Sequence, residues 1–256
     1  MCSTDVSTDG PIVRITLTNS AQRNPLSLET MREIRRGLEE IGEDSSIRVI
    51  VIQANGPAFS AGHDLNELVG RSLEDEREIF ASCTEMMQAI HRVRQPVIAS
   101  VQGVALAAGC QLVAACDLAV ASSSARFGTP GVKIGLFCST PMVALSRAIG
   151  RKRTLRMLLT GEMIDADTAE SWGLINFVTT PDNLAETTSS LVSAVAEASA
   201  STVTIGKESF YRQIELTEDA AYFEMQETMA INATSHDAQE GITAFLGKRA
   251  PVWRDN

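Results

Sequence analysis

The chain of 256 residues has room for one large or two small domains, and its 44% apolar content excludes a disordered protein. With 22 Lys plus Arg against 32 Asp plus Glu, the net charge is −10, which argues against nucleic acid or an anionic membrane as a partner. No apolar run reaches the roughly 20 residues that would span a bilayer.

The few cysteines and histidines argue against disulfides and metal sites. The five cysteines are odd in number and include no Cys-x-x-Cys pair, and the three histidines form no His-Glu-x-x-His pattern. We therefore expect no metal, and a cytoplasmic location because free thiols suit a reducing compartment. Residues 1–10 are polar, resemble no signal or transit peptide, and are expected to form a flexible N-terminus.

Apolar periodicity predicts strands and helices that alternate about three times, which is typical of an α/β protein with parallel strands. Ser27 is expected to begin one amphipathic helix, and Ser72 with Asp75 forms a capping-box pattern at the start of another. The predicted strands are 11–18, 47–52, 97–101 and 117–121. Beyond residue 140 the pattern is almost wholly helical, with one strand-like segment at 174–178. We assign 11–190 to an α/β core and 191–256 to a C-terminal helical region.

Two segments with small residues lie between a predicted strand and a predicted helix: FSAGHDL at 59–65 and AAGCQ at 107–111. Small residues let a ligand approach the backbone, and N–H groups at a helix start lack intrahelical partners. Two such groups that converge would form an oxyanion hole. Taken alone this signal is weak, because such turns are common in α/β proteins.

Taken together, FSAGHDL, GVALAAGCQLVAACDLAVAS and ARFGTPGVKIGL resemble the enoyl-CoA hydratase/isomerase (crotonase) family, and residues 240–248 resemble its C-terminal helix. The resemblance implies a right-handed spiral of ββα units that assembles through its helical end as a trimer or a dimer of trimers. It also implies an acyl-CoA substrate, whose coenzyme A is part of the substrate rather than a separate cofactor. The shared chemistry is stabilisation of a thioester enolate.

Carried over by position, the resemblance assigns the two oxyanion-hole N–H groups to His63 and Ala108. The segment from His63 through Asp64 and Leu65 to Asn66 would border the thioester, with the Ala61 carbonyl near the adenine. Three further positions match family residues around coenzyme A: Arg23 at the entrance, Phe245 beside the acyl tunnel and Lys248 at the phosphates, the last commonly from a neighbouring subunit.

The catalytic pair is where the sequence departs from the family. Hydratases carry one Glu after the Cys of the second motif and another after Phe-Gly-x-Pro, but here those positions are Gln111 and Gly131. Neither residue can exchange a proton at neutral pH, so the two-glutamate hydration mechanism is not expected. Cys138 could act instead as an acid or nucleophile, or it could be a small buried apolar residue.

Other side chains leave alternatives open. The His63 imidazole could titrate near the ligand or simply cover it, and Asp64 is expected to cap the helix that follows. His91 and His236 are expected on helix surfaces. The function is expected to be that of a hydratase-type lyase of lipid metabolism with weak or redirected activity. The alternatives are an isomerase, a decarboxylase, a thioester hydrolase and a non-catalytic acyl-CoA binder.

Overall fold

The computed structural model describes residues 3–255, which fold into two sheets surrounded by helices. The six-stranded sheet has the order β1-β2-β3-β5-β7-β10, and the four-stranded sheet has the order β4-β6-β8-β9. The strands are β1 Thr4–Asp9, β2 Ile12–Leu17, β3 Val49–Ala54, β4 Ala58–Ser60, β5 Val97–Val101, β6 Val104–Leu106, β7 Leu118–Ser122, β8 Arg126–Gly128, β9 Met163–Asp165 and β10 Phe177–Thr179. The α-helices are α1 Leu28–Gly42, α2 Leu73–Arg92, α3 Ala108–Ala115, α4 Ser139–Ile149, α5 Arg151–Thr160, α6 Ala166–Trp172, α7 Leu184–Ala196, α8 Ala200–Gln213, α9 Glu218–Ala233 and α10 His236–Leu246.

The chain advances by ββα repeats, each of which adds one strand to each sheet. The repeats are β3–β4–α2, β5–β6–α3 and β7–β8 followed by α4, and their strands pair in parallel with those of the preceding repeat. Strand number therefore increases from one edge to the other in both sheets, so that successive ββα units follow one another in a spiral. The α/β spiral predicted from the resemblance is confirmed.

The helices form where the sequence pattern predicts them. The Ser27 side chain accepts from the Thr30 N–H at the start of α1, and Ser72 with Asp75 forms the capping box of α2. Both helices pack their apolar faces on one side of the large sheet, in a core that includes Ile34 and Ile79. The opposite face, with Val49, Val51 and Ile98, packs against Val192 of α7. The large sheet is thus covered by helices on both faces.

The expected flexible N-terminus is wrong for residues 4–9. These residues form β1, which pairs antiparallel with β2 through a turn at Gly10. Glu33 holds the start of the strand, because its carboxylate accepts hydrogen bonds from the Ser3 N–H and the Thr4 hydroxyl. An edge strand is held mainly by backbone hydrogen bonds to its neighbour, so its side chains can be polar. The polar sequence of residues 4–9 therefore did not indicate a strand. Met1 and Cys2, which are part of the same prediction, lie outside the described residues.

The C-terminal region is helical, as expected, although its predicted limit at residue 190 lies within α7. Ser235 caps α10 by accepting from the Ala238 N–H. The Asp237 carboxylate points inward and accepts from the Ser199 hydroxyl and from the backbone N–H groups of Arg254 and Asp255. It thereby fixes the chain after α10, residues 251–255, which we call the C-terminal strap. None of the helices within 3–255 combines the length and apolarity that a membrane crossing requires.

Candidate functional site

A cavity of about 610 Å³ lies between the two small-residue turns and the loop that leads into α4. We call it the proximal cavity. Its lining is mainly apolar, and its titratable members among the described residues are His63, Lys133 and Cys138. The lining residues are Ala61, His63, Leu65, Phe80, Ala107, Ala108, Pro130, Gly131, Lys133, Ile134, Leu136, Phe137, Cys138, Ser139, Thr140 and Pro141.

The two turns that the sequence analysis singled out are in contact at this cavity. Gly62 has a φ of +95°, and a Cβ atom built there would lie 2.9 Å from the Leu106 carbonyl oxygen and 3.4 Å from the Ala108 amide nitrogen. Only glycine fits both the conformation and the space. The backbone of the first turn therefore lies directly against the start of α3.

Backbone hydrogen bonds around these turns leave two amides without acceptors. The N–H of Ala61 donates to the Arg23 carbonyl at 3.0 Å, and that of Ala107 donates to the Gly128 carbonyl at 2.8 Å. The Gly62 N–H donates to Ser60 Oγ at 3.2 Å. Within residues 3–255, the N–H groups of His63 and Ala108 have no such acceptor. Both residues border the proximal cavity, and Ala108 is the first residue of α3, where the helix dipole adds positive potential.

Ala107 stands in a conformation that alanine rarely adopts, with φ 47° and ψ −116°. A non-glycine residue in such a region stores of order 1–3 kcal/mol and persists only where its surroundings enforce it. The hydrogen bond from its N–H to Gly128, on the neighbouring strand β8, supplies that constraint. Because ψ of Ala107 sets the plane of the peptide that follows, this conformation fixes the direction of the Ala108 N–H.

Gly131 lines the proximal cavity, but a side chain does not fit there. A Cβ atom at this position would lie 2.1 Å from the Leu136 carbonyl oxygen and 2.9 Å from Cys138 Sγ. The Leu136 carbonyl and the Cys138 side chain thus occupy the space that a glutamate at this position would need. A glutamate could be placed here only if the loop 135–138 moved.

Gln111 does not line the proximal cavity, contrary to the expectation that it faces the reacting group there. It lines a second cavity of about 570 Å³, which we call the distal cavity. Only 5% of its surface is exposed, and its Oε1 accepts from the Cys83 thiol at 3.9 Å. Gln111 lies three residues beyond Ala108 on the same side of α3 and about 4.5 Å further along the helix axis, where the distal cavity begins.

Cys138 lies at the boundary between loop and helix, immediately before α4, and is 8% exposed. Burial raises the pKa of its thiol, while the Gly131 N–H opposes that effect. The thiol is therefore neutral at physiological pH, which favours a proton donor over a thiolate nucleophile. Cys110 is fully buried, and burial raises the pKa of its thiol to about 12.

The His63 imidazole packs edge-on against Phe80 with ring centroids 5.3 Å apart. Both ring nitrogens are inaccessible and form no hydrogen bond within the described residues. Burial lowers the pKa of His63 below its ordinary value, more than the nearby Leu26 carbonyl raises it. The side chain is a neutral apolar wall of the cavity, so the covering role is the one its geometry favours.

Residues expected around coenzyme A divide into two groups. Ala61 and Leu65 line the proximal cavity, and Arg23 is bound to Ala61 through its carbonyl at the exposed rim. Asp64 caps the short helix Leu65–Glu67 by accepting from the Asn66 N–H, as predicted, and neither of these two side chains lines the cavity.

Phe245 and Lys248 form the second group and lie at the exposed end of α10, outside the lining of both cavities. Phe245 is 83% exposed. A single copy of the chain does not bring them to the site.

Sequence reasoning missed a buried polar cluster beside the distal cavity. Lys207 Nζ lies 2.7 Å from Asp117 Oδ2, and the Tyr211 hydroxyl donates to Asp117 Oδ1 at 2.7 Å. His91, expected on the surface, stacks on Tyr211 with centroids 4.0 Å apart and lies 3.0 Å from the Ala115 carbonyl through Nε2. These four residues are separated widely in the chain, and no local pattern brings them together. Within 3–255, no three His, Cys, Asp or Glu side chains lie close enough together to hold a metal ion.

A family model described as enoyl-CoA hydratase/isomerase matches residues 7–256. The chain belongs to the enoyl-CoA hydratase/isomerase family. A relative from Rattus norvegicus, named enoyl-CoA hydratase domain-containing protein 3, mitochondrial, is 46% identical over 94% of this chain and 81% of its own. The 2,3-dehydroadipyl-CoA hydratase of Escherichia coli K12 is 32% identical, with 97% of each chain covered.

Solved structures of family members superpose closely on this fold. An enoyl-CoA hydratase from Mycobacterium smegmatis has a TM-score of 0.96 at 45% identity, with 98% of both chains covered. Human enoyl-CoA hydratase domain-containing protein 3 has a TM-score of 0.96 at 44% identity, covering 98% of this chain and all of its own. The helical C-terminal region is part of the shared fold.

The expected cytoplasmic location is wrong on this comparison. The similar rat and human proteins are both named as mitochondrial. The expectation rested on the free cysteines, which indicate a reducing compartment. Free cysteines do not distinguish the cytoplasm from another reducing compartment.

Proposed function

We propose that this protein is an acyl-CoA thioester enzyme whose oxyanion hole consists of the His63 and Ala108 N–H groups. One observation carries the proposal: these two amides have no acceptor among the residues that the structure describes, and both border one apolar cavity. As a substrate enolate forms, negative charge moves onto the thioester oxygen, and fixed amides stabilise it without reorganising. The names of the hydratase relatives support an acyl-CoA substrate.

Coenzyme A would enter past Arg23 and lie along Ala61 and the segment from His63 to Asn66. Lys248 and Phe245 would complete this site from a neighbouring copy, which supports a homotrimer or a dimer of trimers. Their exposure in the single chain agrees with such a role, as do other large exposed apolar side chains of α9, Tyr222 and Phe223. Light scattering should give three or six times the chain mass, and a monomer would contradict the assembly.

Efficient hydration by two carboxylates is not part of the proposal. No Asp or Glu from the described part of the chain lines the proximal cavity. Gln111 faces the distal cavity, and position 131 has no room for a side chain. The three titratable lining residues are also poor bases: the His63 nitrogens are inaccessible, Lys133 is a cation, and the Cys138 thiol is kept neutral by burial.

The lack of a base favours decarboxylation as a second candidate, because that reaction forms an enolate without removing a proton. In a 2-carboxyacyl thioester, the bond between Cα and the carboxylate breaks and CO₂ leaves. The electron pair of that bond enters the enolate, whose oxygen the two amides hold. Cα then takes a proton from the Cys138 thiol or from water. The apolar walls Phe80, Leu136 and Phe137 favour loss of the charged carboxylate.

A matched pair of glycine variants tests the oxyanion hole. Gly62→Ala places a methyl group against Leu106 and Ala108, whereas Gly70→Ala has the same kind of positive φ, +73°, but nothing within 4 Å. Both variants and the unchanged protein are assayed with crotonyl-CoA, malonyl-CoA and methylmalonyl-CoA, with products identified by mass spectrometry. We expect Gly62→Ala to lose about 10²-fold in the rate with the best substrate, and Gly70→Ala to keep it.

The assay also separates the candidate functions. Release of CO₂ from the malonyl-type thioesters without hydration of crotonyl-CoA supports decarboxylation. Equal rates in a folded Gly62→Ala variant would contradict the oxyanion hole. Tight binding with no turnover of any thioester would leave a non-catalytic acyl-CoA binder as the better description.

A further inference from the structure

Lys133 is the one lysine or arginine among the described residues that line the proximal cavity. It belongs to the short helix Pro130–Ile134 and is exposed, whereas Ala108 at the proposed oxyanion hole is fully buried. No Asp or Glu from the same part of the chain lines this cavity. The cavity therefore combines apolar walls with a single positive charge on the side towards solvent.

The stem of Lys133 packs against Gly161, which follows α5 as its C-cap. Gly161 has a φ of +61°, and a Cβ atom built there would lie 3.0 Å from Lys133 Cε and 3.2 Å from its Cγ. The missing side chain thus leaves the room that the lysine stem occupies. Lys133 is therefore held at the cavity wall by its stem, although the residue as a whole is exposed.

No described group of the protein neutralises this lysine. Lys133 forms no hydrogen bond or ion pair within 3–255. Glu162, the residue after Gly161, pairs instead with Arg156 of α5. An ammonium group at the edge of an apolar cavity keeps more of its field than one on an open surface, because less water screens it. The described part of the chain thus leaves this positive potential for a ligand.

We propose that Lys133 binds a carboxylate at the far end of a short acyl group, so that the protein prefers acyl-CoA thioesters of dicarboxylic acids. This assignment rests on the proposed function, since it needs the thioester to sit between His63 and Ala108. The carboxylate is one that the reaction retains, because an ion pair at the carboxylate next to the thioester would oppose its loss as CO₂. An unpaired carboxylate in an apolar cavity loses its hydration without compensation, so Lys133 determines whether a charged acyl group is accepted.

Calorimetric titration with two pairs of thioesters of equal carbon number tests the assignment: succinyl-CoA against butyryl-CoA, and glutaryl-CoA against pentanoyl-CoA. Lys133→Met removes the charge at similar length, and Lys133→Arg keeps it. Lys152→Met removes an exposed lysine of α5 that borders neither cavity. Thermal melting establishes that each variant is folded.

In the unchanged protein, at least one dicarboxylic thioester should bind at least about fivefold more tightly than its uncharged counterpart. Lys133→Met should reverse this preference, because the carboxylate then enters an apolar cavity without a partner. Lys133→Arg and Lys152→Met should retain it. The preference should also shrink as KCl is raised from about 50 to about 300 mM, since the ion pair is partly exposed.

The ways in which this assignment can fail are distinguishable. Equal affinity for charged and uncharged acyl groups in the unchanged protein, or a preference that survives in Lys133→Met, would overturn the role of Lys133 while leaving acyl-CoA binding intact. Equal weakening of all four thioesters in Lys133→Met would show that the lysine binds the phosphates of coenzyme A, which would also overturn the assignment. If none of the thioesters binds to the unchanged protein, the proposed function falls together with this inference.

Discussion

At the scale of single residues, the site depends on where the backbone tolerates a side chain. Gly131 shows this most clearly, because the family-like sequence around it suggests that a glutamate could simply be restored. The Leu136 carbonyl, 2.1 Å from the Cβ position, rules that out without displacement of the loop. The identity of residue 131 could be read from the sequence, but the position of the Leu136 carbonyl could not, since it depends on how residues 135–138 pack.

We therefore predict that Gly131→Ala destabilises the protein by roughly 2 kcal/mol, because a methyl group must displace backbone rather than a flexible side chain. Urea unfolding measures the change. The control is Gly206→Ala in α8, where nothing lies within 4 Å and alanine is the better helix former, so stability should stay equal or rise slightly. A Gly131→Glu variant that is fully stable and hydrates crotonyl-CoA would contradict this account of the loop.

At the scale of secondary-structure elements, α8 is anchored to the α/β body by one buried cation. Lys207 Nζ donates to the carbonyls of Ile90 at 2.7 Å and Gln95 at 2.8 Å, in addition to its contact with Asp117. Burial lowers the pKa of Lys207, while Asp117 raises it. The Lys207 ammonium group thus has three acceptors. It connects α8 to the end of α2 and to the residues just before β5 and β7.

Lys207→Met should cost roughly 3 kcal/mol of unfolding free energy, because it leaves two carbonyls and a carboxylate without their donor. Arg212→Met, on the same helix, removes an exposed pair with Glu224 and should cost less than about 1 kcal/mol. Denaturant titration of both variants provides the comparison. Equal losses would mean that the buried contacts contribute no more than surface pairing does.

Sequence patterns predicted elements unequally. The long amphipathic helices and β3, β5 and β7 carry strong periodicity or β-branched runs, and all were expected. The three-residue strands β4, β6, β8 and β9 were not, because three residues show no period and lie among glycines and small side chains. Their pairing partners, such as Arg126 with Asp165, are far apart in the chain. The second sheet, which positions both turns of the site, was therefore accessible only through the family resemblance.

At the scale of the whole molecule, stability in acid should depend on the C-terminal strap. Burial raises the pKa of Asp237, but hydrogen bonds from Arg254, Ser199, His236 and Asp255 outweigh this and hold it well below the usual value. The pKa of Glu240 is lowered to about 2 by Arg249 and the Val252 N–H. A carboxylate with a depressed folded-state pKa stabilises the fold above its unfolded-state pKa and loses that contribution as the pH falls.

We accordingly predict a constant melting temperature from pH 7 to about pH 5 and a decline below about pH 4. Asp237→Asn should melt lower than the unchanged protein at pH 7, and the difference should shrink towards pH 3. Melting curves across this range, with the exposed Asp182→Asn as control, measure the effect. A difference that stays the same at every pH would show that Asp237 acts through packing rather than through its charge.

The strap also has a practical consequence for handling the protein. Asp255 accepts from the Ala200 N–H at 2.7 Å and pairs with Arg48 at 2.9 Å, so the last described residues return to the beginning of β3. Peptide added directly behind the strap would disturb these contacts, whereas peptide added on the amino-terminal side of the polar edge strand β1 would leave them in place. A purification tag is therefore better attached on the amino-terminal side of β1.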